Sequence, residues 1–212
     1  MKCNLCNNDV PKFLAKNNDH ECPACHSLVR HRALIKQYDY LWSKDVRIMH
    51  VGPHVSVVKY FIGTVEKNSG SSYIPVDIRP NNIHVLNLDI GRHMLGVVPC
   101  DIVICKYVLE CVSDDNKALE NIVMALKPGG VFILDTPLKE GANDRPALNM
   151  ITSADVRVKR FGAVDRFRQY GRNDIRSMLE SFGLNQFIFD QVPADAEIGL
   201  PNGYEFIKTV RS

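Results

Sequence analysis

Several features that identify whole classes of protein are missing from this sequence of 212 residues. No uninterrupted apolar run approaches the roughly 20 residues that span a bilayer, so we expect no transmembrane helix and no membrane partner. The N-terminus lacks the charged and apolar regions of a secretory signal peptide. We find no internal repeat and no low-complexity segment, which argues against a repeat protein or a long disordered tract. An ordinary globular protein is expected.

A large excess of either charge is missing as well. The formal net charge is +2, whereas nucleic-acid-binding domains are usually strongly basic. Positive charge is nevertheless concentrated in residues 157–176, where the only acidic residues are Asp165 and Asp174. The basic residues of this segment are Arg157, Lys159, Arg160, Arg166, Arg168, Arg172 and Arg176. Such an excess favours either an anionic substrate or a solvated surface, and the sequence leaves both open.

What the chain does have is four cysteines in two pairs near its start. Cys3 and Cys6 are separated by two residues, as are Cys22 and Cys25, and fifteen residues lie between the pairs. Each Cys-x2-Cys turn directs two thiolates to one point, and two such turns complete the tetrahedron that zinc prefers. We therefore predict a structural zinc site with these four ligands. Because four thiolates leave no open coordination position, the metal is not expected to do chemistry.

The alternative for these four residues is a pair of disulfides, which requires an oxidising compartment. Since no signal peptide is visible, we expect a reducing cytoplasm and a metal. Three nearby histidines are expected around the site or at the surface: His20, His26 and His31. The remaining cysteines lie among apolar residues and are expected in the core: Cys100, Cys105 and Cys111.

The sequence predicts three parts: a zinc-binding module over residues 1–27, a linking helix over 28–44 with Ser27 as its N-cap, and one domain over 45–212. After residue 45, β-branched apolar runs alternate with helical patterns, which predicts a parallel sheet covered by helices. Strands are expected at 46–51, 73–78, 83–88, 101–105 and 131–135, and helices at 55–66, 114–126 (capped by Ser113) and 173–182. Two final strands, 185–192 and 204–210, are expected to form an antiparallel hairpin. The predicted fold class is thus α/β: a doubly wound Rossmann-like sheet with an antiparallel edge hairpin, preceded by a small zinc-ribbon-like module.

Polar and small residues follow several of the predicted strands. In a doubly wound sheet the ligand binds beyond the carboxyl ends of the strands. Gly52 follows the first strand and Asp77 ends the second. A carboxylate about 25 residues after such a glycine is placed to accept hydrogen bonds from a ribose diol.

At this point the sequence resembles the class I S-adenosylmethionine-dependent methyltransferases. Residues 101–110, Ala118-Leu119 and 126–134 resemble, in order, the fourth strand, the following helix and the fifth strand of that family. Residues 22–32 and 167–171 resemble a subgroup that carries a zinc module before the methyltransferase domain. The resemblance then covers nearly the whole chain.

The resemblance implies roles for individual residues. Gly52 would let the backbone approach the methionine part of S-adenosylmethionine, and Asp77, with Ile78 beside it, would hold the ribose. The remaining expected contacts are Asp89 and Ile90 to the adenine and Cys105, Lys106 and Tyr107 around the sulfonium and acceptor. Lys106 and Tyr107 are also the candidate catalytic residues.

Two departures from the family pattern stand out. Residues 50–54 contain one glycine where the family usually has several, and the first strand lacks a clear acidic residue. Tyr107 and Cys111 occupy positions where many members carry histidine, so the resemblance does not imply a histidine base.

Residues 139–172 lie where such enzymes often place a substrate-binding insertion, and Arg166, Arg168 and Tyr170 are expected to contact the acceptor. The favoured function is methyl transfer to a small molecule, possibly a sugar or an anionic metabolite. Two alternatives stay open: an RNA or protein methyltransferase that docks through the zinc module, and a non-catalytic interaction protein.

Overall fold

A seven-stranded sheet forms the centre of the computed structural model, which describes residues 1–16, 19–42, 45–65, 67–68, 70–80, 82–92, 99–146, 150–151 and 153–212. The strands are β1 (Leu14–Lys16), β2 (Asp19–Glu21), β3 (Arg47–Val51), β4 (Ser72–Asp77), β5 (Leu86–Asn87), β6 (Cys100–Lys106), β7 (Leu126–Asp135), β8 (Leu138–Lys139), β9 (Tyr170–Gly171), β10 (Leu184–Val192) and β11 (Tyr204–Arg211). The α-helices are α1 (Val29–Tyr38), α2 (Val55–Val65), α3 (Asp115–Ala125), α4 (Ala154–Phe161) and α5 (Ile175–Glu180).

The strand order across the main sheet is β10-β11-β7-β6-β3-β4-β5. From β5 to β7 the strands are parallel, whereas β11 pairs antiparallel with both β7 and β10. The expected doubly wound sheet with an antiparallel edge hairpin is confirmed. The strand order reverses between β3 and β6, and ligands bind at such a switch point, beyond the carboxyl ends of the strands.

Alternate residues of the central strands enter two apolar clusters, one on each face of the sheet. In β6, Val103 and Cys105 pack with residues of α3 and α5, whereas Ile102 and Ile104 pack with residues of α1 and α2. Strands buried on both faces read as continuous apolar runs, which is why β3 and β6 were recognisable from the sequence. In the described part of the chain the longest helices have 11 residues, and no helix has the length and apolar character of a membrane span.

The N-terminal 27 residues share a core with the sheet. Leu5, Val10 and Phe13 belong to the same apolar cluster as α1 and α2. The guanidinium of Arg32 is fully buried and donates hydrogen bonds to four main-chain carbonyls, those of His20, Ser27, Ile198 and Gly199. This one side chain therefore joins the cysteine-bearing segment to the loop before β11.

Both serine caps predicted from the sequence are wrong. Ser27 is buried and its hydroxyl faces Arg32 and Cys25, while α1 begins after Leu28. Asp114, not Ser113, caps α3, because its Oδ1 accepts the N–H of Lys117 at 2.9 Å. In each case the N-cap lies one residue later than the sequence pattern predicted.

Two segments differ from the expected elements. The predicted strand at 83–88 is reduced to the two residues of β5, because Asn82 closes a turn by accepting the N–H groups of His84 and Val85. Residues 139–172 contain α4, which the sequence analysis missed; Ser153 caps it by accepting the N–H of Val156, and Gly162 ends it with φ +76°. The expected helix end at 66, the end of the linking segment at 43–44, and positions 147–149 and 152 of the insertion lie outside the described residues.

Candidate functional site

The two cysteine pairs lie in turns of the same geometry. The N–H of Asn7 donates to the carbonyl of Cys3 at 2.8 Å, and the N–H of His26 donates to the carbonyl of Cys22 at 2.9 Å. Asn7 and His26 each follow the second cysteine of a pair and each adopt a left-handed backbone, with φ +59° and +60°. Such a turn points both thiols of a pair the same way, so the chain builds two equivalent halves of one site.

The four sulfur atoms converge. All lie within 4.8 Å of one another, with Cys3 Sγ 3.8 Å from Cys25 Sγ and Cys6 Sγ 4.0 Å from Cys22 Sγ. Four thiolates at about 2.3 Å from a tetrahedral zinc ion are separated by about 3.8 Å, whereas a disulfide requires about 2.05 Å. The arrangement therefore has the dimensions of a metal site and not of two disulfides.

The nearby histidines point elsewhere. The ring of His26 is 68% exposed and binds Glu21 at 2.8 Å. The ring of His31 is buried, accepts the N–H of Leu28 at 3.1 Å and stacks on His54 with 4.6 Å between centroids. Burial lowers the pKa of His31 well below its ordinary value, which keeps the ring neutral. His31 thus connects α1 to the turn before α2.

The carboxyl ends of the parallel strands bring the expected cofactor residues to one edge. Gly52 follows β3 with φ +66°, and its N–H donates to Val76 at 2.9 Å. A Cβ at this position would lie 2.4 Å from Cγ2 of Val108, so both the backbone conformation and the space require glycine. Asp77 ends the neighbouring strand β4, and its Oδ1 accepts the N–H of Arg79 at 2.8 Å.

Asp89 is engaged within its own turn. Its Oδ1 accepts the N–H of Gly91 at 2.9 Å, and its Oδ2 lies 3.3 Å from the guanidinium of Arg92. These contacts are those of a loop cap. A role toward adenine remains a proposal for this carboxylate.

The other expected cofactor residues differ in exposure. Ile78 is 58% exposed beside Asp77 and offers an apolar surface. Ile90 and Cys105 are 2% and 0% exposed, so their side chains pack in the core and do not line the edge, contrary to expectation. The physical reason is strand alternation in β6, which directs Cys105 into the cluster beneath α3.

Tyr107 lies directly beyond β6 in a strained conformation. Its φ is +55°, which is rare for an aromatic residue and is found mostly where surrounding contacts impose it. Its N–H donates to the carbonyl of Asp135 at 2.7 Å, and its ring lies under the guanidinium of Arg30 at 4.8 Å. Its hydroxyl is 3.3 Å from that of Tyr204. Burial raises the pKa of Tyr107.

A buried ion pair supports this tyrosine. Lys106 Nζ lies 2.9 Å from Asp135 Oδ2, and each side chain is 5% exposed. Tyr204 donates its hydroxyl hydrogen to the same carboxylate, at 3.0 and 3.1 Å from the two oxygens. The carboxylate of Asp135 therefore connects Lys106 to the Tyr204 and Tyr107 hydroxyls. Lys106 and Tyr107 were expected from the sequence, whereas Asp135 and Tyr204 were not, although Asp135 ends a predicted strand.

Glu110 is a second carboxylate that the sequence analysis did not assign. It is 1% exposed and its Oε2 accepts the hydroxyl of Thr136 at 2.9 Å. Its Oε1 has no hydrogen-bond partner among the described residues. Burial raises the pKa of Glu110 to about 7. The sequence feature that could have identified Glu110 is its position as an acidic residue inside the apolar run after β6.

The three residues expected to contact the acceptor are not equally available. Arg168 is 5% exposed and donates to the carbonyls of Leu109, Val112 and Ser113 at 2.5–3.0 Å. Tyr170 is 0% exposed. Its hydroxyl donates to Leu109 and to Asp115 Oδ2.

These contacts satisfy the hydrogen-bonding groups of Arg168 and Tyr170, so in this structure both hold the loop between β6 and α3. Arg166, the third expected residue, is partly exposed and donates to the carbonyl of Phe161 at 3.0 Å. Arg168 and Tyr170 thus differ from Arg166 in how fully they are hydrogen-bonded within the fold. No local sequence pattern reveals this difference.

Comparisons with known proteins agree with this geometry. A family profile described as a methyltransferase domain matches residues 31–186. A comparison with curated protein sequences gives no match. Among solved structures, the chain is similar to the 1,6-didemethyltoxoflavin-N1-methyltransferase of Burkholderia thailandensis, solved with 1,6-didemethyltoxoflavin and S-adenosylhomocysteine. The TM-score is 0.58 at 13% identity, over 87% of this chain and 78% of that one.

Two further similarities come from other domains of life. Human N-acetylserotonin methyltransferase, solved with S-adenosylmethionine, gives a TM-score of 0.54 at 17% identity; 87% of this chain matches 52% of that one, about half its length. A chain of the complex between the Trm112 methyltransferase activator of Haloferax volcanii and a methyltransferase gives 0.52 at 13% identity, over 85% and 93%. At these identities the likeness establishes the fold.

Proposed function

The chain belongs to the family of methyltransferase domains, and on this premise we propose that it transfers a methyl group from S-adenosylmethionine to a small-molecule acceptor. The observation that carries the proposal is the edge at which Gly52, Asp77 and Tyr107 follow three neighbouring parallel strands. The arrangement supports one binding surface at the switch point of the sheet.

The residues at this edge suit the groups of the cofactor. Asp77 is partly exposed, and its Oδ2 forms no hydrogen bond with the described residues, so the carboxylate has capacity for a ribose diol. The left-handed Gly52 lets the backbone turn closely, and Ile78 presents an apolar surface. Bound S-adenosylmethionine would supply an electrophilic methyl on a sulfonium, which leaves the protein to orient the acceptor and exclude water.

Tyr107 is the side chain we assign to orienting the acceptor. Tyr204 gives its single hydroxyl hydrogen to Asp135, so in the contact between the two tyrosines Tyr107 is the donor. The lone pairs of the Tyr107 oxygen are then left to accept a hydrogen bond from an O–H or N–H nucleophile. Lys106 acts indirectly in this scheme, by pairing with Asp135 at 2.9 Å.

The four-cysteine cluster is assigned to a structural zinc ion held by Cys3, Cys6, Cys22 and Cys25. The buried hydroxyl of Ser27 lies 3.2 Å from Cys25 Sγ and can donate to a bound thiolate. The ion would stabilise residues 1–27, which form one wall of a cleft that Arg30 also lines. That cleft measures about 380 Å³, in the range of small-molecule sites, which favours a small acceptor over a macromolecule.

Calorimetric titration of S-adenosylmethionine and S-adenosylhomocysteine tests the cofactor assignment. Binding to the zinc-loaded protein is expected in the micromolar range, about 8 kcal/mol. Asp77→Ala should weaken it by about a hundredfold or more, because two hydroxyl hydrogen bonds to a charged acceptor are lost. Asp155→Ala, which removes an exposed aspartate of α4, is the matched control and should leave binding unchanged.

The outcomes separate the proposal from its alternatives. Absence of binding to folded wild-type protein would overturn it and favour a non-catalytic role. Cofactor binding together with RNA binding that weakens steeply with salt would instead favour a nucleic-acid acceptor.

A further inference from the structure

The cleft between the cysteine module and the sheet is lined by charged residues that sequence analysis did not assign. Its walls are the β1–β2 hairpin, the turn after Cys25, the start of α1 and His54, in the turn before α2. It also lies at the N-terminus of α2, where the helix dipole favours negative charge. Arg30 lines this cleft and covers the ring of Tyr107.

Arg30 is a cation with unused hydrogen-bonding capacity. Its side chain is 29% exposed, and the nearest carboxylate oxygen, Asp19 Oδ2, is 3.7 Å away, which is too far for a hydrogen bond. The guanidinium forms no hydrogen bond with the described residues, although it has five N–H donors. Its Cζ lies 4.8 Å from the centroid of the Tyr107 ring, so the guanidinium packs on that ring while part of the side chain stays exposed.

The other charged groups of the cleft already have close partners within the protein. Glu21 binds both Lys16 and His26. Asp19 Oδ1 accepts the N–H groups of His20 at 2.6 Å and Val29 at 3.0 Å, which caps the start of α1. Arg30 therefore has only a long ion pair with Asp19, at 3.7 Å, and its N–H donors form no hydrogen bond with the described residues.

We propose that Arg30 binds an anionic group of the methyl acceptor, a carboxylate or a phosphate, and so places the rest of the acceptor against Tyr107. A guanidinium edge matches both anions through two parallel hydrogen bonds. The assignment rests on the proposed methyltransferase function. It assigns the anion contact to Arg30 and not to Arg168, which is buried and donates to carbonyl groups of the loop after β6.

Titration of inorganic phosphate and of acetate into isotope-labelled protein tests this site. Chemical shifts of the Arg30 side chain, the Tyr107 amide and the His54 ring are followed at constant ionic strength, so that general screening does not change. S-adenosylhomocysteine binding is measured on the same samples. The variants are Arg30→Gln and Arg30→Lys, with Arg176→Gln as the control.

The control is matched in geometry. Arg176 stacks over Phe187 at 4.9 Å, much as Arg30 stacks over Tyr107 at 4.8 Å, but it lies on α5. Within the described part of the chain the Arg30 side chain makes no hydrogen bond, so its replacement should not unfold the protein. Arg30→Lys keeps the positive charge but loses the planar guanidinium that forms two parallel hydrogen bonds.

Saturable shifts in wild-type protein are expected, with at least about tenfold weaker binding in Arg30→Gln, an intermediate loss in Arg30→Lys and no change in Arg176→Gln. Tighter phosphate binding would identify a phosphorylated acceptor, and tighter acetate binding a carboxylic acid; both support the proposal. Equal anion binding in Arg30→Gln and wild type, or no saturable shift in protein that still binds S-adenosylhomocysteine, overturns it. If the wild-type protein does not bind S-adenosylhomocysteine, the proposed methyltransferase function itself is overturned.

Discussion

The ammonium nitrogen of Lys106 lies 2.9 Å from the main-chain carbonyl oxygen of Arg30. This hydrogen bond joins the end of β6 to the first turn of α1, the helix that leads out of the cysteine module. Because Lys106 also pairs with Asp135 at 2.9 Å, one buried ammonium holds the acceptor side of the sheet and the N-terminal segment together. We infer that Lys106 positions these elements and does not contact the reacting atoms.

Lys106→Met is expected to lower the free energy of unfolding by about 3 to 5 kcal/mol, because it leaves the Asp135 carboxylate buried without its counter-ion. Urea unfolding at neutral pH measures the change. Lys106→Met/Asp135→Asn removes both charges and should be more stable than Lys106→Met alone. A single variant as stable as wild type would show that the pair is not a structural contact.

Gly52→Ala and Gly129→Ala separate backbone strain from lack of space. Both glycines have left-handed φ, +66° and +77°, but a Cβ at Gly129 meets nothing within 4 Å. Gly129→Ala should therefore cost about 1 kcal/mol. Gly52→Ala should cost more and also weaken S-adenosylmethionine binding, because the new methyl group collides with Val108.

Combining Gly52→Ala with Val108→Ala removes the colliding methyl group and should restore part of the cofactor affinity. Thermal unfolding and calorimetry on the four proteins supply both readouts. Equal losses in the two glycine variants would mean that the contact with Val108 has no effect.

Glu110 makes stability depend on pH in a defined direction. Its pKa rises from 4.5 to about 7 on folding, so the folded state favours the neutral acid. The contribution of this pKa shift to the free energy of unfolding is present in full below pH 4.5, decreases between pH 4.5 and about 7, and is lost above that. For this shift the loss is about 3 kcal/mol.

Glu110→Gln does not ionise and should gain about 2 to 3 kcal/mol relative to wild type between pH 5 and pH 8. Denaturant unfolding at the two pH values gives the difference. Glu120→Gln changes an exposed residue of α3 (52% exposed) and should show no such gain. If the two variants respond alike, Glu110 does not titrate in this range.

Zinc content should follow the cluster cysteines alone. Cys25→Ser is expected to reduce bound zinc from about one ion per chain to nearly none and to expose residues 1–27 to fast hydrogen exchange, since small metal modules depend on their ion. Cys111→Ser, at a half-buried cysteine outside the cluster, should keep its zinc. Full metal content in Cys25→Ser would contradict the four-thiolate assignment.

Local periodicity was enough to predict the sheet and the cysteine cluster, and it failed at particular ends and partners. The strands β3, β4, β6, β10 and β11 were predicted to within one residue at each end, whereas β7 begins at 126 and not at 131. The central strands β3 and β6 are buried on both faces, which demands continuous apolar runs. The cap at Ser113 was wrong because the adjacent Asp114 offers an equivalent hydrogen-bonding group, and the cap at Ser27 was wrong because that hydroxyl faces Cys25 and Arg32. The helix α4 was missed because half of its eight residues are charged and Phe161 is its buried residue, which leaves no continuous apolar face in the pattern.

The sequence by itself determined the doubly wound fold, the convergence of Cys3, Cys6, Cys22 and Cys25, and the edge at which Gly52, Asp77 and Tyr107 meet, because these follow from spacing and strand order. Only the tertiary structure decided which charged side chains face the cleft. Arg168 is enclosed by carbonyl groups of the loop after β6, whereas Arg30 is left open above Tyr107. Both are arginines in polar stretches, and the difference depends on burial and on hydrogen bonds between residues far apart in the chain, which local sequence does not encode.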